Sequence, residues 1–218
     1  MILKVGLTGG LASGKSTVAA RLREHGIPVL DADLIVHDLY RADSVGARAV
    51  ADAFGPEFLA PDSSVDRRKL SAHVFHNPAE LARLNGLIHP LVRDEQARWF
   101  AALEAKGEAL GVVEASLLVE TGGRQRFDVL VTVSAPTDVR LARAIRRSGE
   151  TDPNELVRRM SAQFSDAVRE EVADIVIRAD GTKEELLKKV DDLAAELRRI
   201  AQSAARSGAY DRSEPRPK

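Results

Sequence analysis

The sequence lacks several features that would point to particular protein classes. It contains no cysteine, which excludes disulfide bonds, thiolate zinc sites and cysteine nucleophiles. It also lacks an excess of charge, because 32 Lys and Arg residues face 33 Asp and Glu residues. Proteins that coat nucleic acid are usually basic, so we expect no nucleic-acid partner.

Long hydrophobic runs are missing as well. No stretch approaches the ~20 apolar residues that a membrane-spanning helix needs. The apolar start Met1–Leu7 is too short for a signal peptide. We therefore expect a cytoplasmic, soluble globular protein without a membrane association, and no obligate protein partner is evident. The 218 residues suffice for one core with an inserted subdomain.

Short apolar runs alternate with helical segments along the chain. The alternation predicts an α/β fold in which helices flank a parallel sheet. The predicted strands are Ile2–Leu7, Ile27–Leu30, Leu110–Val113, Val129–Val133 and Ile175–Ile177. The predicted helices outside residues 34–106 are Lys15–Gly26, Thr137–Arg147 and a last helix that opens at a Thr182–Glu185 capping box and ends near Gln202.

The long interval between the second and third predicted strands is read as a helical insertion. Residues 34–106 look mostly helical, with a helix start at Asn77 and Pro78. Such an insertion beside the sheet could hold a substrate. The tail Ser203–Lys218 is rich in Ser, Gly, Pro and charge, and we expect it to be disordered.

A complete phosphate-loop motif provides the strongest functional signal. The stretch Gly9–Thr17 satisfies G-x-x-x-x-G-K-[ST] between an apolar strand and a helix. Its backbone N–H groups and the helix N-terminus would cradle phosphates, with Lys15 on the β- and γ-phosphates and Ser16 on Mg²⁺. Because Lys15 lies on a loop, we expect it at the surface. The expected ATP contacts in this stretch are Gly9, Gly10, Ala12, Ser13, Gly14, Lys15, Ser16 and Thr17.

The motif identifies a nucleotide but leaves the reaction open. A GTPase should carry N-K-x-D, and no asparagine here is followed by lysine. A motor ATPase usually has an apolar strand that ends in Asp-Glu, and that pair does not occur. A small-molecule kinase is favoured, and a nucleotide-gated binding protein without phosphoryl transfer is the alternative from another class.

Two aspartates follow the second predicted strand. Strand alternation would point Asp31 and Asp33 to the same side at the ligand-binding edge of the sheet. One of them could orient and deprotonate a substrate hydroxyl. The other could cap a helix that starts near Leu34, and we expect both roles to be filled.

An arginine-rich helix follows the fourth predicted strand. Arg140, Arg143 and Arg147 share one helix face by their spacing. Such a face could stabilise charge on a transferring phosphoryl group. On spacing alone, a solvated charged face is the better interpretation.

Together these segments resemble the dephospho-CoA kinases over roughly residues 1–180. The phosphate loop alone is generic, whereas the ordered set of segments is specific. The segments are Leu7-Thr8-Gly9-Gly10, Asp31-Ala32-Asp33, Phe54-Gly55, Asp66-Arg67 with Leu70, Leu84-Asn85, His89-Pro90, Leu117-Leu118-Val119-Glu120, Arg143 with Arg147, Gln163 and Ala173-Asp174.

The resemblance implies ATP- and Mg²⁺-dependent phosphorylation of the ribose 3′-hydroxyl of dephospho-CoA, the last step of coenzyme A synthesis. Another small-molecule kinase, acting on a nucleoside or similar alcohol, is the runner-up. The resemblance implies that Asp33, Lys15 and Arg143 are catalytic, that Arg147 contacts ATP, and that Thr8, Asp33, Arg67 and His89 contact the substrate. Considered alone, His89 before Pro90 would more often mark a helix start.

The resemblance also implies three parts. They are a nucleotide-binding core (1–33, 108–136 and 165–202), a helical substrate domain (34–107) and a lid (137–164). Four positions depart from the family pattern. They are Ala12 in place of a glycine, Ser116 in place of a proline, Arg140 in place of a glutamine and Ala179 in place of an asparagine.

Overall fold

A computed structural model describes residues 1–75, 77–148 and 153–207. The described residues contain a five-stranded sheet in the order β2-β3-β1-β4-β5. The pairings of β1 with β3, β1 with β4 and β4 with β5 are parallel, which confirms the predicted α/β class. The strands are β1 (Leu3–Gly9), β2 (Val29–Asp31), β3 (Leu110–Glu114), β4 (Val129–Ser134) and β5 (Ile175–Arg178).

Helices occupy most of the remaining described chain. The described residues within 34–106 are mostly helical, as predicted, and include a 3-10 turn at Pro56–Phe58. The helices are α1 (Lys15–Glu24), α2 (Ala32–Leu39), α3 (Val45–Phe54), α4 (Arg67–Phe75), α5 (Pro78–Ala105), α6 (Thr137–Ser148), α7 (Pro153–Ser161), α8 (Asp166–Val172) and α9 (Lys183–Ser207).

The chain divides into two compact units. The first comprises Met1–Leu30 and Ala102–Lys218, and the second comprises Asp31–Ala101. The core of the first unit lies between the sheet and helices α1 and α9. Its central strand β1 is buried except at Lys4, and Leu3, Val5 and Leu7 on one face belong to this core. Val5 pairs in register with Val112 on one side and Val129 on the other.

The second unit is helical and contains an aromatic cluster. The ring centroids of Phe54 and Phe58 each lie near the ring of His73, at 6.2 and 5.0 Å. Leu59 and Val65 form an antiparallel bridge between the 3-10 turn and α4. None of the described helices is both long and apolar enough to cross a membrane.

Two predicted helix caps are confirmed. The side chain of Asn77 accepts hydrogen bonds from the backbone N–H groups of Ala79 and Glu80, at 3.1 and 3.3 Å. Thr182 and Glu185 exchange the two bonds of a capping box, at 2.8 and 3.2 Å. Each bond satisfies a donor that the first helical turn leaves unpaired.

The predicted end of the last helix was wrong. α9 continues to Ser207 instead of ending near Gln202, so the first five residues assigned to the tail are helical. Ala201 is buried against the core and Ala204 is half-buried, and alanine strongly favours helix, so packing and propensity both extend it. The predicted disorder of residues 208–218 concerns residues outside the described part of the chain.

Candidate active site

The phosphate loop joins β1 to α1, as the motif predicted. β1 ends at Gly9 and α1 begins at Lys15, and between them a turn is closed by the Ser13 N–H to Gly10 C=O bond at 3.1 Å. Gly14 precedes the helix with φ 105°, a conformation that glycine adopts without steric penalty. No side chain among the described residues caps α1. Its first N–H groups are therefore available to an anion.

Ala12 also has a positive φ, of 58°. This is the left-handed region, which costs a non-glycine residue about 1–2 kcal/mol. Ala12, which the resemblance places where the family has a glycine, therefore lies in a strained conformation.

Lys15 is buried, contrary to the expected surface position. Only 9% of it is exposed, and its Nζ lies 2.7 Å from Oε1 of Glu114, which is 3% exposed. The Ser16 hydroxyl donates to the same carboxylate oxygen at 3.1 Å. Arg23 lies 3.9 Å from the other oxygen. Because Lys15 opens α1 beside the carboxyl end of β3, its side chain extends into the protein along the sheet edge.

Glu114 was missed by the sequence reasoning. That search required an Asp-Glu pair after an apolar strand, whereas β3 ends in a single glutamate. A signal was present, since carboxyl ends of neighbouring parallel strands deliver side chains to one edge of a sheet. An apolar strand that ends in a single acidic residue was sufficient to predict Glu114 as a site residue.

Ser16 and Glu114 supply oxygen ligands at one point. Hydroxyl and carboxylate oxygens suit Mg²⁺, which usually also takes phosphate oxygens and water. The residues present therefore fit a nucleotide-bound magnesium ion, in keeping with the predicted metal role of Ser16.

The arginines of α6 do not behave as one solvated face. Arg140 is only 4% exposed, and its Nε donates to the Leu11 carbonyl at 3.1 Å. Arg143 is half-buried, and its Nη1 reaches the Ser13 carbonyl at 3.5 Å. Arg147 is exposed near the end of the helix. Two of the three arginines thus contact the phosphate loop directly.

A buried ion-pair network supports Arg140. Its Nη1 lies 2.9 Å from both carboxylate oxygens of Asp166, which also accepts from Arg169 at 3.2 Å. Arg169 is fully buried and pairs with Glu120 as well. Asp166 and Arg169 were not predicted, because their importance comes from partners distant in sequence.

The predicted acidic pair lies at the start of the second unit. Asp31 caps α2, its carboxylate accepting the Asp33 N–H at 2.9 Å, which confirms one structural aspartate. The expectation of strand alternation was wrong, because α2 begins at Ala32 and Asp33 is therefore helical. The Asp33 side chain is exposed in the first turn.

The other predicted substrate contacts lie in different settings. Arg67 is exposed at the start of α4. Burial of the Tyr40 side chain raises the pKa of that residue, and the positive charge of Arg67 partly offsets the increase. His89 is half-buried and lies with Pro90 inside α5, so the pair does not start a helix. Thr8 is fully buried in β1, and its hydroxyl has no hydrogen-bond partner within the described residues.

Comparison with known proteins gives one consistent family. The chain is 44% identical over 195 residues to a dephospho-CoA kinase from Leifsonia xyli subsp. xyli, covering 89% of this chain and 98% of the relative. A crystal structure of a Thermus thermophilus protein is 34% identical, with a TM-score of 0.77 and coverage of 90% and 98%. Dephospho-CoA kinase from Campylobacter jejuni, at 21% identity, has a TM-score of 0.69 over the same shares and supports the fold.

A family model adds the extent of the match. The model described as dephospho-CoA kinase matches residues 3–185, which include the phosphate loop, Glu114 and the arginines of α6. The chain belongs to the dephospho-CoA kinase family.

Proposed function

We propose that this protein transfers the γ-phosphoryl group of ATP to the ribose 3′-hydroxyl of dephospho-CoA, giving coenzyme A and ADP. This is the last step of coenzyme A synthesis. The observation that carries the proposal is the phosphate loop with Lys15 and Ser16 on one buried carboxylate, in a chain that matches the family over residues 3–185.

The transfer forms one bond and breaks one. The 3′-oxygen bonds to the γ-phosphorus as the bond from that phosphorus to the β,γ-bridging oxygen breaks, and ADP leaves. The hydroxyl proton passes to the Asp33 carboxylate, the role that the family resemblance supports. Lys15 offsets charge on the β- and γ-phosphates.

Two further groups act on the phosphates. Arg143, which already contacts the loop at Ser13, stabilises charge on the transferring phosphoryl group, and Arg147 contacts ATP. Ser16 and Glu114 would hold a magnesium ion, which would neutralise phosphate charge. Neither role needs a residue outside α6, β3 and the phosphate loop.

Recognition of dephospho-CoA is assigned mainly to the helical insertion, with one contact from β1. Thr8, Asp33, Arg67 and His89 are the proposed substrate contacts, on the basis of the family resemblance. We retain the three-part division into a core (1–33, 108–136 and 165–202), a substrate domain (34–107) and a lid (137–164). Independence from protein partners and the cytoplasmic location stay predictions.

An acceptor panel tests the function. Purified protein is incubated with Mg-ATP and single acceptors, namely dephospho-CoA, a nucleoside, shikimate and gluconate, and ADP release is measured. We expect release with dephospho-CoA and a product that co-elutes with authentic coenzyme A. Comparison with the 2′-phosphate isomer by ³¹P NMR establishes which hydroxyl reacted.

The same panel separates the alternatives. ADP release with another alcohol instead would favour a different small-molecule kinase. ATP binding without ADP release for any acceptor would favour a nucleotide-gated binding protein. Omission of magnesium, with EDTA present, is the matched control for each reaction.

A further inference from the structure

Leu11, at the tip of the phosphate loop, is held through both of its backbone polar groups. Its carbonyl accepts from Arg140 Nε at 3.1 Å, and its N–H donates to Gln163 Oε1 at 2.9 Å. The two partners come from α6 and from the turn that follows α7. Leu11 is therefore fixed from two sides by residues far along the chain.

The Arg140 side chain is itself immobilised. Asp166 binds its Nη1 through both carboxylate oxygens, and fully buried Arg169 binds Asp166 in turn. A planar guanidinium held in this way presents its remaining N–H groups in one fixed direction. With Glu120 on Arg169, the cluster contains two positive and two negative groups and is neutral.

The guanidinium also lies flat against the loop. A Cβ atom at Gly10 would fall 2.7 Å from the carbon and two nitrogens of that group. Only glycine at this position lets Arg140 come so close, so the loop and the arginine fit each other at both Gly10 and Leu11.

The residue after Leu11 is the strained one. Ala12 has φ 58°, a left-handed conformation that alanine disfavours and glycine accepts readily. A change of Ala12 to a negative φ would turn the neighbouring N–H groups of the loop to other directions.

We propose that Arg140 is a positioning residue for ATP: it grips Leu11 and so holds Ala12 in the left-handed conformation that the phosphate loop needs. Arginine can reach the Leu11 carbonyl and the Asp166 carboxylate together, whereas the shorter glutamine can satisfy one of them. The strained alanine and the buried arginine thus act as a compensating pair. The proposal rests on the proposed function only in taking ATP as the ligand of the loop.

The test is a double-mutant cycle read by ATP binding. The Kd for Mg-ATP is measured by calorimetry for the wild type, Arg140→Gln, Ala12→Gly and the double variant. We expect Arg140→Gln to raise the Kd about tenfold, equivalent to 1.4 kcal/mol. In the Ala12→Gly background the same change should raise it by at most about threefold, because glycine holds the loop conformation without help.

Two further variants provide an independent test and a control. Gln163→Ala removes the hydrogen bond to the Leu11 N–H without leaving a buried charge unpaired. It should also raise the Kd for Mg-ATP, and the increase should be smaller when residue 12 is glycine. If Arg140→Gln does not fold, the cycle of Gln163→Ala with Ala12→Gly decides the question. Arg146→Gln, an exposed arginine on the same helix, is the control and should bind ATP like the wild type.

Steady-state kinetics separate positioning from general structural damage. We expect Arg140→Gln to lower the melting temperature, because Asp166 loses a buried partner. Positioning predicts in addition that KM for ATP rises while KM for dephospho-CoA changes little. An unchanged Kd, or an equal rise in both backgrounds, would overturn the proposal. If the cycle behaves as expected but no dephospho-CoA is phosphorylated, the proposed function fails and the positioning role stands.

Discussion

The two compact units differ in the burial of their charged side chains. In the unit that contains the phosphate loop, Lys15, Glu114, Arg140 and Arg169 are each less than one-tenth exposed and each has a partner of opposite charge. Within the described part of Asp31–Ala101, no charged residue is buried, and Gln96 is the buried polar side chain. Asp33 and Arg67 are both exposed there.

This difference in burial determines whether a binding residue also contributes to the stability of the fold. Removing one partner from a buried ion pair leaves an uncompensated charge, which is strongly destabilising. Function and stability are therefore coupled around the phosphate loop. Exposed groups carry no such coupling, so substitutions at the exposed candidate site residues Asp33 and Arg67 should affect the reaction with little effect on folding.

The largest effect is expected from Lys15→Ala. We expect kcat to fall by at least about 10²-fold, because a charge that meets the phosphates is lost. We also expect the free energy of unfolding to fall by about 3 kcal/mol, because Glu114 loses its buried partner. Turnover assays and urea unfolding measure the two losses.

The double variant Lys15→Ala with Glu114→Gln is the matched control. It removes both charges, so the free energy of unfolding should recover most of the loss while activity stays absent. If the free energy of unfolding does not recover in the double variant, the unpaired Glu114 charge is not the cause of the loss of stability. A stable Lys15→Ala protein with normal turnover would contradict the phosphate-loop assignment.

Asp33→Asn should affect activity alone. General-base groups typically contribute about 10²–10⁴-fold to rate, so kcat should fall within that range while KM for both substrates changes little. Because Asp33 is exposed, the free energy of unfolding should change by less than about 0.5 kcal/mol. Kinetics and unfolding on one preparation measure both.

Asp31→Ala is the neighbouring control for that experiment. It removes the cap of α2 and should lower the free energy of unfolding by about 1 kcal/mol while leaving kcat near the wild-type value. The reverse pattern, a slow but stable Asp31 variant beside an active Asp33→Asn, would move the base to Asp31.

The smallest effect tests whether burial, and not position in the first unit, produces the coupling. Asp191 on α9 is 38% exposed and accepts hydrogen bonds from Arg21 at 2.7 Å and from His25 at 2.6 Å. These bonds, with that of Arg21 the larger cause, lower the pKa of Asp191 from 3.8 to about 2.

Its contribution to stability should depend on pH. A carboxyl with a depressed folded-state pKa stabilises the fold above pH 3.8, and this stabilisation is lost as the pH falls through about 2. The difference in unfolding free energy between wild type and Asp191→Asn should therefore be small at pH 5 and shrink toward pH 2. A large difference at pH 5 would mean that exposed pairs in this unit matter as much as buried ones.

Local interactions made part of this molecule predictable. The phosphate loop, the Asn77 cap and the Thr182–Glu185 box each depend on residues a few positions apart. The alternation of apolar runs and helices was sufficient for the α/β class. In each case the interactions that determine the local structure lie within one short segment.

The missed features depend on residues brought together by the fold. Glu114 and Lys15 are 99 positions apart, and Arg140 and Leu11 are 129 apart. No periodicity can show that a lysine on a loop will be buried by a strand that comes so much later. The expected strand alternation of Asp31 and Asp33 was wrong for a local reason. Asp31 caps a helix that starts one residue later, so the extended conformation ends there.

The order of strands in the sheet has a consequence for how the protein is made. β1 emerges from the ribosome before the other four strands, yet Val5 on this strand pairs with Val112 and Val129, which are synthesised much later. Asp31–Ala101 is continuous in sequence and can complete its own contacts meanwhile, whereas non-local pairings form slowly. Glu114, Arg140 and Gln163 also follow late, so we expect the phosphate loop to acquire its shape only after translation has passed them.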